Sequence, residues 1–345
     1  MFFIVLNAEV VFIHAEMHIC YNGNKRTGVI KMEHFPHIPD YAEQYLLTLK
    51  KDGLKDSTIR RYYYDLHDYF AWMRVNFEED HLQELRSLTK KDTKEYYQFL
   101  SMQRKYSSST LTRVETVLKR LGVYLVKNGQ LTANPFHMER TSHSAELSDE
   151  DFAKDGEIEK LFSVISSDEG LTENQLKHRH LLIPRNKAIL RLLVFHGLSM
   201  QELNQITMKD VSPHHKELHL PTRTCSLSKE DQIILMEYLQ SIPEPVRPRA
   251  RSKDPLFAAF DYQRGTFRWD YELNSPKPLT IIAIQKMLRQ EIRRGGLRNG
   301  LSAQHFRRSY ILSLIQEGAD DDELKQMLGL KALLSLKRYR SYAQL

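Results

Sequence analysis

"AQHFRRSYILSLIQEGADDDELKQMLGLKALLSLKRY", residues 303–339, is the stretch on which the reading of this chain turns. "SAQHFRRSYILSLIQEG" (302–318) and "DDDELKQMLGL" (320–330) have the apolar spacing of consecutive helices, and the tail over 333–345 reads as a third. The first of these opens with Gln304, His305, Arg307 and Arg308, and the tail carries Tyr339. Such a set is either the machinery of a phosphate-handling site or a basic helix lying on something acidic.

The rest of the chain narrows the choice. It has 345 residues, 41% hydrophobic and 27% charged. That is enough apolar material for two cores, at roughly 100–200 residues per domain, and it excludes disorder throughout. Two cysteines, Cys20 and Cys225, exclude a disulfide framework or a cysteine-based zinc site and suit a reducing cytoplasm. The histidines show no metal-ligand spacing, and "HHKELH" (214–219) reads as an exposed loop running into a strand. No cofactor and no metal are expected. The net charge of +6 is unevenly spread. From Arg247 to Arg308 there are 14 Lys and Arg against 5 Asp and Glu, which leaves the remainder slightly acidic. An arginine-rich cluster suits bidentate phosphate contacts and counterion release. A nucleic acid is the expected partner.

Residues 1–31 are apolar at first but broken by Glu9, His14, Glu16 and His18, and they lack a basic leader. They suit neither a membrane span nor a signal peptide. We expect translation to begin at Met32, which would make them an extra segment. Residues 40–130 carry four helical patterns, over 40–51, 56–76, 89–103 and 107–129. Ile59, Tyr62, Tyr63, Leu66, Tyr69, Phe70 and Met73 form one stripe of the second. The aromatic interleaving with Arg60 and Arg61 offers a nucleic-acid face, although most of those rings are expected in the core. "ANPF" (133–136) breaks the helix, and 131–152 reads as a linker. Beyond it come helices over 155–167, 183–197, 199–207, 228–242 and 280–297, an alternating strand over 216–221 and a short buried segment over 255–260. Pro184 and Gly197 punctuate the ends of one of these helices. The fold class is mainly α, with a small β-sheet.

This order of segments resembles the tyrosine recombinases, also called the phage integrase family, over about 40–345. "DSTIRRYYYDLHDYF" (56–70), a Ser/Thr-rich helix start and "NP" are similar to its helical core-binding domain, here 40–130. "RNKAILRLLVFHGLSMQELNQITMKDV" (185–211) and "AQHFRRSYILSLIQEGADDDELKQMLGLKALLSLKRY" (303–339) are similar to the two boxes of its catalytic domain, here 153–345. The resemblance implies a two-domain, C-shaped clamp on double-stranded DNA. It also implies possible homo-oligomers on that DNA and a cytoplasmic protein of a bacterium or phage, acting at the nucleoid.

The chemistry implied is attack of a tyrosine hydroxyl on a phosphodiester, with two arginine forks on the non-bridging oxygens and a Lys or His protonating the leaving oxygen. Carried over by position, the nucleophile falls on Tyr339 and the second clamp on Arg307. Ser199 stands where the first clamp Arg belongs, Gln304 stands for a His (with His305 one position off), and Leu330 stands for a His or Trp. The catalytic Lys belongs on a β-hairpin, but 216–230 looks too short for one and holds no Lys within it. Two of six roles survive. Losing one oxyanion-type donor costs roughly 2.7–4 kcal/mol of barrier, and losing general acid catalysis costs on the order of a further 10²–10⁴ in rate. His305 or Arg308, and Arg185 or Arg191, are the candidates to stand in. Tyr339 is either a spent nucleophile or a packing residue. The DNA-binding candidates are Arg308, His305, Arg289, Arg293, Arg294, Arg298, Arg60 and Arg61. Three functions stay open: a catalytically impaired DNA-binding protein acting as repressor or accessory factor of a mobile element, a working site-specific recombinase, and an RNA-binding helical protein.

Overall fold

The computed structural model describes residues 35–77, 82–136, 146–212, 214, 216–330 and 336–344. The segment 1–31 lies outside the described residues. The chain divides into two compact units, 1–141 and 142–345.

In the first unit the helical patterns become α1 (Asp40–Lys51), α2 (Asp56–Phe77), α3 (Leu82–Ser87), α4 (Lys90–Gln98) and α5 (Ser108–Lys127). Thr89 starts α4 through a reciprocal cap: its hydroxyl accepts from the Asp92 N–H, and its own N–H donates to the Asp92 carboxylate at 2.8 Å. The chain leaves α4 through a π turn over Phe99–Gln103. The α2 stripe is core. Ile59, Tyr62, Leu66, Tyr69, Phe70 and Met73 are buried, and the Tyr69 ring lies edge-on to Tyr96 and Phe136 at 5.0 and 5.4 Å. Asp65, also buried on α2, accepts two bonds from the Arg113 fork at 2.9 and 2.7 Å, so the charge it carries inside is matched. Arg60 and Arg61 lie on the exposed face of α2. Leu131 and Phe136, within the stretch read as a linker, belong to this core. Asn134 holds them there by donating to the Lys119 carbonyl and accepting from the Phe136 N–H.

The second unit is built around α8 (Arg179–Phe195), which is apolar and buried on nearly every side, as a central helix must be. It packs against α6 (Asp155–Ser166), α10 (Lys229–Ser241) and α12 (Ala303–Gln316). It starts earlier than expected, so Pro184 lies inside it rather than at its first turn. Arg179 accounts for the early start: its guanidinium is buried and tethered to Glu291 at 3.1 Å and to the carbonyls of Val164 and Ser167. Two short helices, α7 (Glu173–Lys177) and α9 (Met200–Gln205), flank α8.

The stretch judged too short for a hairpin forms one. β1 (Glu217–Leu220) pairs antiparallel with β2 (Arg223–Ser226), and Pro221 and Thr222 alone make the loop. A two-residue loop is all a hairpin needs. The strand period of two puts Leu218, Leu220, Arg223 and Cys225 on the inner face. Two smaller antiparallel pairs follow, β3 (Phe260–Asp261) with β4 (Thr266–Phe267) and β5 (Trp269–Asp270) with β6 (Ser275–Pro276). Then come α11 (Ile281–Arg294), α12, α13 (Asp321–Leu328) and α14 (Lys337–Ala343). Leu147 and Phe152 pack with α12, α13 and α14 in a second small core of this unit. Among the described residues no helix is long and apolar enough to cross a membrane.

Phe136 has no exposed surface, whereas Tyr271, at the tip of the β5–β6 turn, is 86% exposed. Phe136→Ala is expected to destabilise the first unit by about 3–5 kcal/mol, and Tyr271→Ala to stay within about 0.5 kcal/mol of wild type. Urea unfolding of both variants checks the pair.

Candidate functional site

The site grows from one carboxylate. Gly197 ends α8 in the left-handed region at φ 56°, where a Cβ would lie 2.2 Å from the Tyr310 ring of α12. Two residues on, Ser199 caps α9: its hydroxyl accepts from the Glu202 N–H at 3.2 Å, and its own N–H donates to Glu202 Oε2 at 2.7 Å. The same carboxylate takes Arg307 Nη1 of α12 on Oε2 at 3.0 Å and Arg223 Nε of β2 on Oε1 at 3.0 Å. Both guanidiniums also donate to the Gly197 carbonyl. Arg223 reaches on to the Met327 carbonyl and Arg307 to the Leu328 carbonyl, both at the end of α13. Burial by itself raises the Glu202 pKa. The Ser199 N–H, Arg223, the Ser199 hydroxyl and Arg307 outweigh it and hold the carboxyl below its ordinary value. Two cations on one anion leave a positive site.

Arg307 also looks outward. It lines a groove of about 710 Å³ together with Ser199 and Gln304, and with Arg289 and Arg293 from α11. Three of the positions picked out by family spacing therefore meet at one surface. Arg289 and Arg293 are exposed, and no ion pair joins either to a described carboxylate.

The other positions lie elsewhere. Tyr339 of α14 is 3% exposed and sits among Ile311, Leu314, Leu324, Leu328 and Leu336, with Phe152 edge-on at 6.4 Å. Leu330 packs on the same core. Neither lines the groove. Arg294 is held by the carbonyls of Glu169 and Ser167 at 2.7 Å each and by Glu291. Arg298 donates to Glu157 at 2.8 Å and to the carbonyls of Glu150 and Phe152, and Arg308 pairs with Asp151. These three cations tie down the segments that enter and follow α6. His305 shares a 2.9 Å bond with the Ser302 hydroxyl, and burial, then Arg298 and Arg308, keep its pKa below the ordinary histidine value. The two arginines offered as stand-ins are spent. Arg185 is buried and donates to Asn186 Oδ1 and the Ala258 carbonyl at 3.2–3.3 Å. Arg191 is paired with Asp231 and with Glu230, the latter at 2.8 Å. Among the described residues no group of His, Cys, Asp and Glu is arranged to hold a metal ion.

The sequence profile of the phage integrase family matches residues 171–344, half of the chain. The chain belongs to that family. Membership sets it in the context of DNA recombination. The tyrosine recombinase XerD of Listeria monocytogenes is 24% identical to it over 298 residues, covering 84% of this chain and 90% of that protein. The tyrosine recombinase XerC of Halalkalibacterium halodurans is 23% identical over 303 residues, covering 87% and 91%. In fold the chain is similar to the Tn1549 transposon integrase solved in complex with circular intermediate DNA, at a TM-score of 0.63 and 15% identity, covering 87% of this chain and 93% of that one. The mainly helical, two-domain tyrosine-recombinase architecture expected from the order of segments is the one observed.

Position-by-position comparison with the phage integrase family missed Arg223 and Glu202, because neither stands at one of the six catalytic roles. Two local signals were available. "SMQE" (199–202) is an S-x-x-E capping box. In "LPTRTC" (220–225) the strand alternation turns Arg223 inward, where its guanidinium needs acceptors.

Glu202→Ala leaves Arg223, whose side chain is 1% exposed, without its counter-charge, and should cost about 3 kcal/mol. The depressed pKa of Glu202 means that the unfolded chain binds the extra proton. Its contribution is therefore present above the ordinary glutamate value of 4.5 and is lost as pH falls through the folded value. In urea titrations, the stability gap between wild type and Glu202→Ala is expected to narrow as the pH is lowered from 7 through that range.

Proposed function

We propose that this chain binds double-stranded DNA through the groove face of its second unit and does not cleave it, acting as a repressor or accessory factor of a mobile element. The observation that carries the reading is the state of Arg307, the clamp position kept by sequence. Its fork is engaged by Glu202, the Gly197 carbonyl and the Leu328 carbonyl. The position of the other clamp is a serine whose hydroxyl caps a helix. Gln304 has no ionisable group to protonate a leaving oxygen. Tyr339, the one residue with the nucleophile's spacing, packs in a core. What remains on this face is positive charge without a general acid, which suits holding a polyanion rather than transferring a phosphoryl group. The matched relatives are named as recombinases and the Tn1549 integrase was solved on DNA, which supports duplex DNA over RNA as the polyanion. A working recombinase is the second reading, favoured by Tyr339 lying nine residues after Leu330.

A DNA duplex carrying the target site, nicked so that any phosphotyrosyl intermediate is trapped, separates the two. Tight binding with no covalent adduct is expected. An adduct formed by wild type and lost in Tyr339→Phe would establish the enzyme instead. In the same binding assay, Arg289→Ala and Arg293→Ala should each weaken binding and reduce the slope of log K against log salt by about 0.9. Arg60→Ala and Arg61→Ala test in the same way whether the first unit also lies on the duplex.

A further inference from the structure

The groove is more than a cationic surface. Its floor is apolar, formed by Leu288 and Ile292 of α11 with Leu297 and Leu301 of the following loop. Its rim carries the amides of Gln201, Gln285, Asn299 and Gln304, none of which changes charge with pH. Its cations are Arg289, Arg293 and Arg307, and no acidic residue lines it. Its volume of about 710 Å³ falls in the range of roughly 300–1,000 Å³ typical of pockets that enclose small organic ligands. Leu288, Ile292 and Leu301 are core side chains whose edges close the bottom of the groove, so a body that enters it meets apolar atoms that a DNA backbone lying along the rim does not. An apolar body with one acidic group uses both floor and cations: the body covers the floor, and the anion meets Arg289 and Arg293 on one edge.

We infer that this groove is a site for an amphiphilic organic anion, an apolar body bearing a carboxylate, sulfonate or phosphate. Its occupation and the binding of DNA exclude each other. The inference rests on the reading that DNA lies on this face, and it adds a regulator to it. Positions that serve the cleavage chemistry in other members of the family, Ser199 and Gln304, here form the neutral polar wall of the pocket. The ligand and a DNA phosphate compete for the same two arginines, so raising the ligand concentration releases DNA by mass action.

The probe is 8-anilinonaphthalene-1-sulfonate, titrated by fluorescence into the full-length protein. Its neutral relative N-phenyl-1-naphthylamine and inorganic phosphate serve as controls. One bound sulfonate per chain is expected, with binding at least about tenfold weaker in Arg293→Ser and in Gln285→Glu. Both positions are exposed, and far-ultraviolet circular dichroism verifies that both variants are folded. Phosphate alone should not displace the dye, and duplex DNA should. Dye binding unchanged in both variants, or neutral dye binding as tightly as the sulfonate, overturns the proposal. Variant-sensitive dye binding in a protein that does not bind DNA supports the pocket and removes the DNA reading alone. Variant-sensitive dye binding with DNA bound alongside it overturns the competition.

Discussion

A single carboxylate organises the second unit. Glu202 closes the cap of α9, neutralises the inward-facing Arg223 of the hairpin and holds Arg307 of α12. Four other elements converge on it, three of them distant in sequence, because the two guanidiniums continue to the carbonyls at the ends of α8 and α13. An inward-facing arginine such as Arg223 is costly to leave without acceptors, so the carboxylate and the two helix ends are fixed together. A helix C-terminus also carries partial negative charge, which makes the carbonyl partners more than geometric convenience.

The same arrangement explains how the frame stands with a serine at position 199. The frame requires charge balance at Glu202 and packing around α8, and both are met here. It does not require a guanidinium at position 199, since a serine there satisfies the first turn of α9 equally well. The residue at such a place can change at little cost to the fold. Arg294, Arg298 and Arg308 complete the account of the basic segment. With Arg247, Arg249, Arg268, Lys277 and Arg307, they make more than half of what looks like a polyanion-binding stripe in the sequence a set of cations that hold the protein's own carbonyls and carboxylates.

Much of the fold was legible because helices announce themselves through spacing. The α2 stripe and the helical spacing over 89–103, 107–129 and 320–330 are local signals, and helices lie in each of those stretches. The misses were non-local. Nothing near Pro184 in sequence reveals that Arg179 will be tethered to Glu291, more than a hundred residues away, and so start the helix early. The hairpin was discounted on length, although strand pairing depends on register rather than on the size of the loop. For the site, spacing found Arg307, Ser199 and Gln304, which do share one groove. It could not distinguish an arginine that faces solvent from one consumed by backbone carbonyls, because that difference is set by tertiary partners alone.

The hairpin loop has a mechanical consequence. Gly329 ends α13 at φ 61° with Thr222 so close that a Cβ would lie 2.2 Å from its hydroxyl, and Arg223 next to it donates to the Met327 carbonyl. The tip of the β-ribbon and the last turn of α13 are thus riveted into one block. Displacement of the ribbon by anything docking on it drags that turn along. The ribbon tip and the end of α13 therefore move together or not at all.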